Sequence, residues 1–238
     1  MKKIFTVILI IISLPGFAQE QKIEGIGQFK ISKSTISIID DLASQMGVKI
    51  KSISESVSLS NAKINNERYI FKLIKDSTRS DFLQPSYSTS CPDFAVYAIF
   101  EIAISSFFFD NVYLTFYQDT LISFKSDHVE NLDQALAVKF GKPELFDDEK
   151  DITCVYTYTG ATIKKKEMNL KQTWKNEYIE AVVSDWQFYT SDCQLHIISG
   201  FSVENTEYVH LLYQCEKDQK DALEQKAKDE LKKKSDGL

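Results

Sequence analysis

Four cysteines, three histidines and a dense set of aromatics are the residues of this 238-residue chain whose chemistry and spacing bear on function. Cys91, Cys154, Cys193 and Cys215 form an even set with no C-x-x-C spacing, so structural disulfides are expected in an oxidising compartment, with buried free thiols the alternative. Residues 153–159 read as a strand and Cys193 follows another; if these run antiparallel, Cys154 and Cys193 come together. That bond would close a loop of about forty residues, worth roughly 4 kcal/mol on the chain-entropy account. His128, His196 and His210 are too few for a histidine-rich metal centre. His196 and His210 fall on neighbouring strand candidates, and a four-residue turn at 204–207 would set Phe201 opposite His210, pointing the two imidazoles to opposite sides.

Other spacings tempt without completing a motif. Residues 27–35 have the outline of a phosphate loop, but Ser32 stands where a second glycine lets the amides wrap a phosphate, so Ser34 is read as a helix cap. Asp147, Glu149 and Asp151 alternate like the start of a calcium loop; Ile152 at the sixth position and Tyr158 at the twelfth break the pattern, and a solvated acidic loop is expected. No G-x-S-x-G, H-E-x-x-H or papain-like cysteine context is present. No catalytic residue, metal ligand or cofactor is assigned. Tyr156 with Tyr158, and Trp186 with Phe188, share strand faces. If exposed, these four are the candidate binding aromatics, although burial in a sheet core is the commoner fate.

The elements that would position these residues follow from periodicity. Ile36, Ile39, Ala43 and Met46 mark one helix face, from Ser34 to a stop at Gly47; Leu132, Ala135, Leu136 and Phe140 mark a second, opened by Asn131 with Gln134 and stopped by Gly141 and Pro143. Runs rich in β-branched and aromatic residues at 48–53, 69–74, 94–103, 112–117 and 121–124, then at 153–159, 178–188, 195–203 and 208–213, read as strands, with a hairpin turn at Gln118-Asp119. The expected fold is α+β, a largely antiparallel sheet with two short helices. Residues 19–215 form one domain, in which a helix-then-strands unit occurs twice (19–126 and 127–215). In residues 216–238, Glu216 with Lys220, Glu224 with Lys228 and Glu230 with Lys234 support a charged C-terminal helix, whose thin stripe of Leu223, Ala227 and Leu231 predicts a solvated one.

Composition supports a folded chain: 43% apolar and 12% aromatic residues with only eight Gly and four Pro exclude disordered and collagen-like classes. A formal charge of −6 argues against nucleic acid and anionic membrane as partners. Lys2 and Lys3, an apolar run over 4–14, and Pro15-Gly16-Phe17-Ala18 have the three-part plan of a secretory signal cleaved between Ala18 and Gln19. That run is shorter than the roughly 18 residues a span needs. Removing residues 1–18 leaves 26 basic and 34 acidic residues, a charge of −8. No cysteine precedes Cys91, so no lipid anchor is expected, and the mature chain belongs in the periplasm or outside the cell.

Gly27-Gln28-Phe29-Lys30-Ile31, Leu114-Thr115-Phe116-Tyr117 with Leu121-Ile122-Ser123-Phe124, and Lys139-Phe140-Gly141-Lys142-Pro143 resemble an uncharacterised exported α+β protein family of Bacteroidota, a likeness that covers most of residues 25–203 and implies no particular activity. The helix-Gly-x-Pro ending is also similar to small α+β envelope proteins, among them the β-lactamase inhibitory protein and outer-membrane assembly lipoproteins, whose lipid-bearing cysteine this chain lacks. The expectation is a non-enzymatic exported module that binds a protein or envelope component through an exposed sheet face. The alternative is a hydrolase of an extracellular polymer with a site assembled from distant Asp, Glu and His residues.

Overall fold

The computed structural model describes residues 22–54, 68–74, 91–156 and 158–235, so Ala18 and Gln19 lie outside the described residues. Strands β1 (Gly25–Ile26) and β2 (Phe29–Lys30) form a short hairpin, helix α1 covers Ile38–Met46, and β3 (Lys49–Ser54), β4 (Tyr69–Ile74), β5 (Phe94–Ile104), β6 (Phe107–Tyr117) and β7 (Thr120–Asp127) follow. Helix α2 (Leu132–Phe140) opens a second series of β8 (Glu144–Val155), β9 (Thr162–Lys175), β10 (Ile179–Tyr189) and β11 (Leu195–Asn205), after which comes helix α3 (Thr206–Ser235). Among the described residues the strands after the hairpin build one 9-stranded sheet, in the order β3-β4-β5-β6-β7-β11-β10-β9-β8. Neighbours are antiparallel except β3 with β4. Each helix-then-strands series starts at one edge and works inward, and the two meet where β7 pairs with β11.

Both short helices cover one face of the sheet. Ile39 and Leu42 of α1, Leu132 and Leu136 of α2, and Phe29 and Ile31 at the hairpin join Leu114, Phe124, Val183 and Phe201 in the main core. Strand alternation decides which residues take part: Ile70 of β4 faces this core, while Phe71 and Leu73 turn away and form a second, smaller core with Ile53, Val96 and Ala98.

Local chemistry departs from the sequence reading at several ends. Gly47 stops α1 as expected, with φ 65°. Ser34, however, does not cap it. Its hydroxyl accepts from Lys30 N at 2.9 Å and donates to the Gln28 carbonyl at 3.1 Å, closing the turn after β2, so the phosphate-loop outline is a hairpin exit. Asn131 is left-handed and makes no side-chain cap; Gln134 Nε2 reaches its Oδ1 at 3.4 Å.

The strand expected at 208–213 is instead the start of α3, because buried Asn205 breaks the strand and accepts from the Glu207 and Tyr208 amides at 3.0 and 3.2 Å, which is N-cap chemistry. Six residues are too few for a period of two to be told from one of 3.6. His210 therefore lies on a helix, and the register that opposed it to Phe201 does not exist.

Helix α3 sits beside Lys125, on the face turned away from the short helices, with Tyr208 against Tyr117 at 5.3 Å. Its Cys215 is bonded to Cys91 at the turn before β5, Cα atoms 6.2 Å apart. Burial raises the Glu216 carboxyl above its ordinary value, and Lys125 acts in the opposite sense. A raised carboxyl means the fold holds this proton more tightly than the unfolded chain does. Its contribution is therefore most favourable below the ordinary carboxylate range and is lost as pH rises through the raised value. E216Q is expected to be at least as stable as the parent near pH 7 and to lose less stability between about pH 4 and pH 7 in urea titrations.

Candidate binding surface

The strands of the second series outrun the helix that covers them. β9 has 14 residues, a span of about 46 Å at the usual strand rise. Leu132 and Leu136 of α2 pack with Trp174, Ala181 and Val183 near its inner end. Further out the sheet is bare: Phe201 and Val203 of β11 are buried, whereas Leu195, Ile197 and Ile198 are exposed. The outer halves of β8 to β11 form a thin arm with solvent on both faces.

The tip of this arm is covalently stapled. Cys154, near the end of β8, is bonded to Cys193 in the 190–194 turn, Cα atoms 5.3 Å apart. Because β9 lies between β8 and β10, that turn must cross the end of β9 to reach Cys154. Val155 N donates to the Ser191 carbonyl at 3.1 Å on the way. Thr190 shapes the turn: its hydroxyl donates to Asp192 and accepts from Gln194 N at 3.1 Å, and its carbonyl accepts from Cys193 N at 3.0 Å. The pair expected from sequence is bonded, by a loop folding over the sheet rather than by two facing strands.

Trp186 and Phe188 point away from the helix-covered face, since Ala181 and Val183 occupy the alternate positions that face the core. Their ring centroids are 4.4 Å apart at 30°, and His196, the cross-strand partner of Phe188, extends the stack at 5.3 Å and 18°. Trp186 is 44% exposed and Ile198, its own cross-strand partner, 56%. The inner ring faces are used on one another, so the row presents edges and two end faces, a shape suited to apolar contact with a protein more than to the broad open face on which a sugar stacks. The sequence reading missed His196 as a member, although its parity with Trp186 and Phe188 was visible once the turn length was fixed. Tyr156 and Tyr158 do not share a strand face: β8 ends at Val155, and both tyrosines lie in the turn at the tip, 40% and 100% exposed.

Asp147, Glu149 and Asp151 lie in the middle of edge strand β8, not in a loop; they share one face of the strand, but spaced roughly 7 Å apart along a straight strand they cannot wrap one cation as a calcium loop does. Lys166 pairs with Glu149 at 2.6 Å and Lys175 with Glu144 at 3.6 Å, and a charged edge of this kind resists stray strand pairing. Among the described residues no group of three or more His, Cys, Asp or Glu is placed to hold a metal.

The sequence did not point to His128 and Asp185, which the sheet brings together with Nδ1 3.7 Å from Oδ1, both sides more than two-fifths exposed. Ser199 lies across from Asp185 but, among the described residues, donates to neither partner, so no activated nucleophile is assembled. A cavity of about 420 Å³ between α1 and the end of β5 has Glu101 as its one acidic lining residue among those described, and no histidine.

No known protein family matches the chain, and neither a curated protein nor a solved structure does. Fold and surface by themselves define an α+β protein with a disulfide-stapled, aromatic-bearing arm; bonds of this kind suit an oxidising compartment outside the cytoplasm. No helix among the described residues is long and apolar enough to cross a membrane.

Proposed function

We propose that this chain is an exported, non-enzymatic binding module that engages a protein or envelope component through the arm. The observation that carries this reading is the solvent-exposed Trp186–Phe188–His196 stack on the uncovered face, close to a tip held rigid by Cys154–Cys193. Exposed, preorganised aromatics are the residues on which interface energy concentrates, and truncating one typically costs about 2 kcal/mol or more. Affinity capture from an envelope extract should yield a partner whose affinity for W186A/F188A is at least about thirtyfold weaker, with cooperative thermal unfolding retained. Equal capture by the double variant would refute the assignment. The second reading, a polymer hydrolase, draws on the His128–Asp185 contact; it is supported only if a panel of extracellular polymers is turned over and H128A abolishes the turnover.

A further inference from the structure

A second cavity, of about 310 Å³, lies away from the arm, between the β1–β2 hairpin and the end of α2; its lining is Lys22, Glu24, Gly25, Lys30, Lys139 and Phe140. Glu24 is already engaged, accepting from Lys33 Nζ at 2.7 Å, and Lys33 holds its carboxyl below the usual range with a smaller contribution from Lys30. Among the described residues no carboxylate stands within ion-pair distance of Lys22, Lys30 or Lys139. Three lysines with no carboxylate in ion-pair distance among the described residues thus line one cavity, beside the single carboxylate of Glu24, in a chain whose formal charge is −6. Lys139 also suits the negative end of the α2 dipole, but Lys22 and Lys30 have no such role.

The backbone around Lys30 and Lys139 is tied by hydrogen bonds and buried neighbours. Ile23, Phe29 and Ile31, interleaved with them, are buried. Ile31 N donates to the Glu24 carbonyl at 2.8 Å, Lys30 N to Ser34 Oγ at 2.9 Å, and Asn176 Nδ2 to the Ile23 carbonyl. Gly25 has φ +143°, and a Cβ there would stand 1.9 Å from the Phe29 carbonyl, so the hairpin admits no other residue without moving. Trp174 Nε1 fixes the end of α2 by donating to the Gly141 carbonyl at 2.9 Å. An anion in the cavity is attracted by the lysines that line it, and lysine is a point-charge ligand for phosphate. The volume, at the small end of ligand sites, exceeds that of a bare oxyanion, and the Phe140 ring, with Lys139 Nζ 4.9 Å from its centroid, offers an apolar wall.

We propose that this cavity binds a phosphate monoester, the phosphate held by Lys22, Lys30 and Lys139 and the organic part set against Phe140. The test is calorimetric titration of the purified chain, at low salt, with inorganic phosphate, glycerol 3-phosphate, and vesicles of phosphatidylcholine with or without phosphatidic acid. Saturable binding is expected, weakened at least about tenfold in K30Q/K139Q, the loss carried by one charge-assisted hydrogen bond. K30R/K139R should restore it, and K226Q/K228Q on α3 should leave it unchanged, all with parental thermal unfolding. Binding of glycerol 3-phosphate alone assigns a soluble ester, and binding of phosphatidic acid vesicles alone a lipid headgroup. No saturable binding of any probe up to about 10 mM, or equal affinity in K30Q/K139Q, overturns the proposal. The arm plays no part, so either assignment can fail without the other.

Discussion

Replacing Cys91 and Cys215 together with alanine is expected to cost the protein about 5 kcal/mol of stability on the chain-entropy account. The bond closes a loop with a sequence separation of 124, more than three times the 39 closed by Cys154–Cys193. It also fixes α3 to the body, because Cys215 lies on the half-buried side of that helix with Gln219, whose Nε2 is 3.7 and 3.6 Å from the two sulfurs. Guanidinium unfolding of parent and C91A/C215A should show a lower midpoint and a larger loss than C154A/C193A, whose bond constrains only the arm tip. A loss under about 1 kcal/mol would mean that neither the loop closure nor the docked helix matters to the fold.

The second large effect is expected at Phe124. Its side chain is fully buried on β7, with ring centroids of Phe29, Phe109 and Phe201 at 5.4, 5.5 and 6.1 Å. Phe124→Ala removes the ring on which the hairpin, β6 and β11 converge, and the transfer and cavity costs together come to about 4 kcal/mol. The strands around it are hydrogen-bonded on both sides, so the hole cannot close easily. Trp186→Ala serves as the contrast: a larger aromatic, half-exposed on the arm and stacked on Phe188, is expected to cost only about 1 kcal/mol. Urea titrations of the two variants separate core from surface aromatics directly, and equal losses would contradict the burial that distinguishes them.

How much of this was legible in the chain depended on how one-sided each segment's surroundings are. Each short helix buries a narrow apolar stripe, Ile39 with Leu42 and Ala43 in α1 and Leu132 with Leu136 in α2, and ends in glycine, and both were readable even though Met46 and Val138 face solvent. The β6–β7 hairpin announced itself through Gln118 and Asp119, both left-handed, with φ 44° and 66°. β9 gave no warning, because a strand with solvent on both faces needs no apolar alternation: residues 162–175 place Lys164, Lys165 and Lys166 in succession where a buried strand would alternate. The middle of edge strand β8, residues 147–151, reads as a loop for the same reason. At the arm, the parity of Trp186 and Phe188 was visible, whereas their exposure depended on how far α2 reaches. The lysine cavity was beyond reading, since Lys22, Lys30 and Lys139 meet only through the packing of the hairpin against α2.

The meeting of β7 and β11 at the middle of the sheet also fixes the order in which the molecule can be finished. Phe124 pairs with Val203, so a chain delivered from its N-terminus holds all of β3 to β7 while one side of β7 has no neighbour. During that interval an open strand edge flanked by Leu121, Ile122 and Phe124 is available to any stray strand, the condition under which partly made sheets aggregate. The last strand fills the gap, and the helix directly after it is then bonded to Cys91. The final fifth of the chain acts as keystone and bolt, and a product terminated before it is left with a sticky seam.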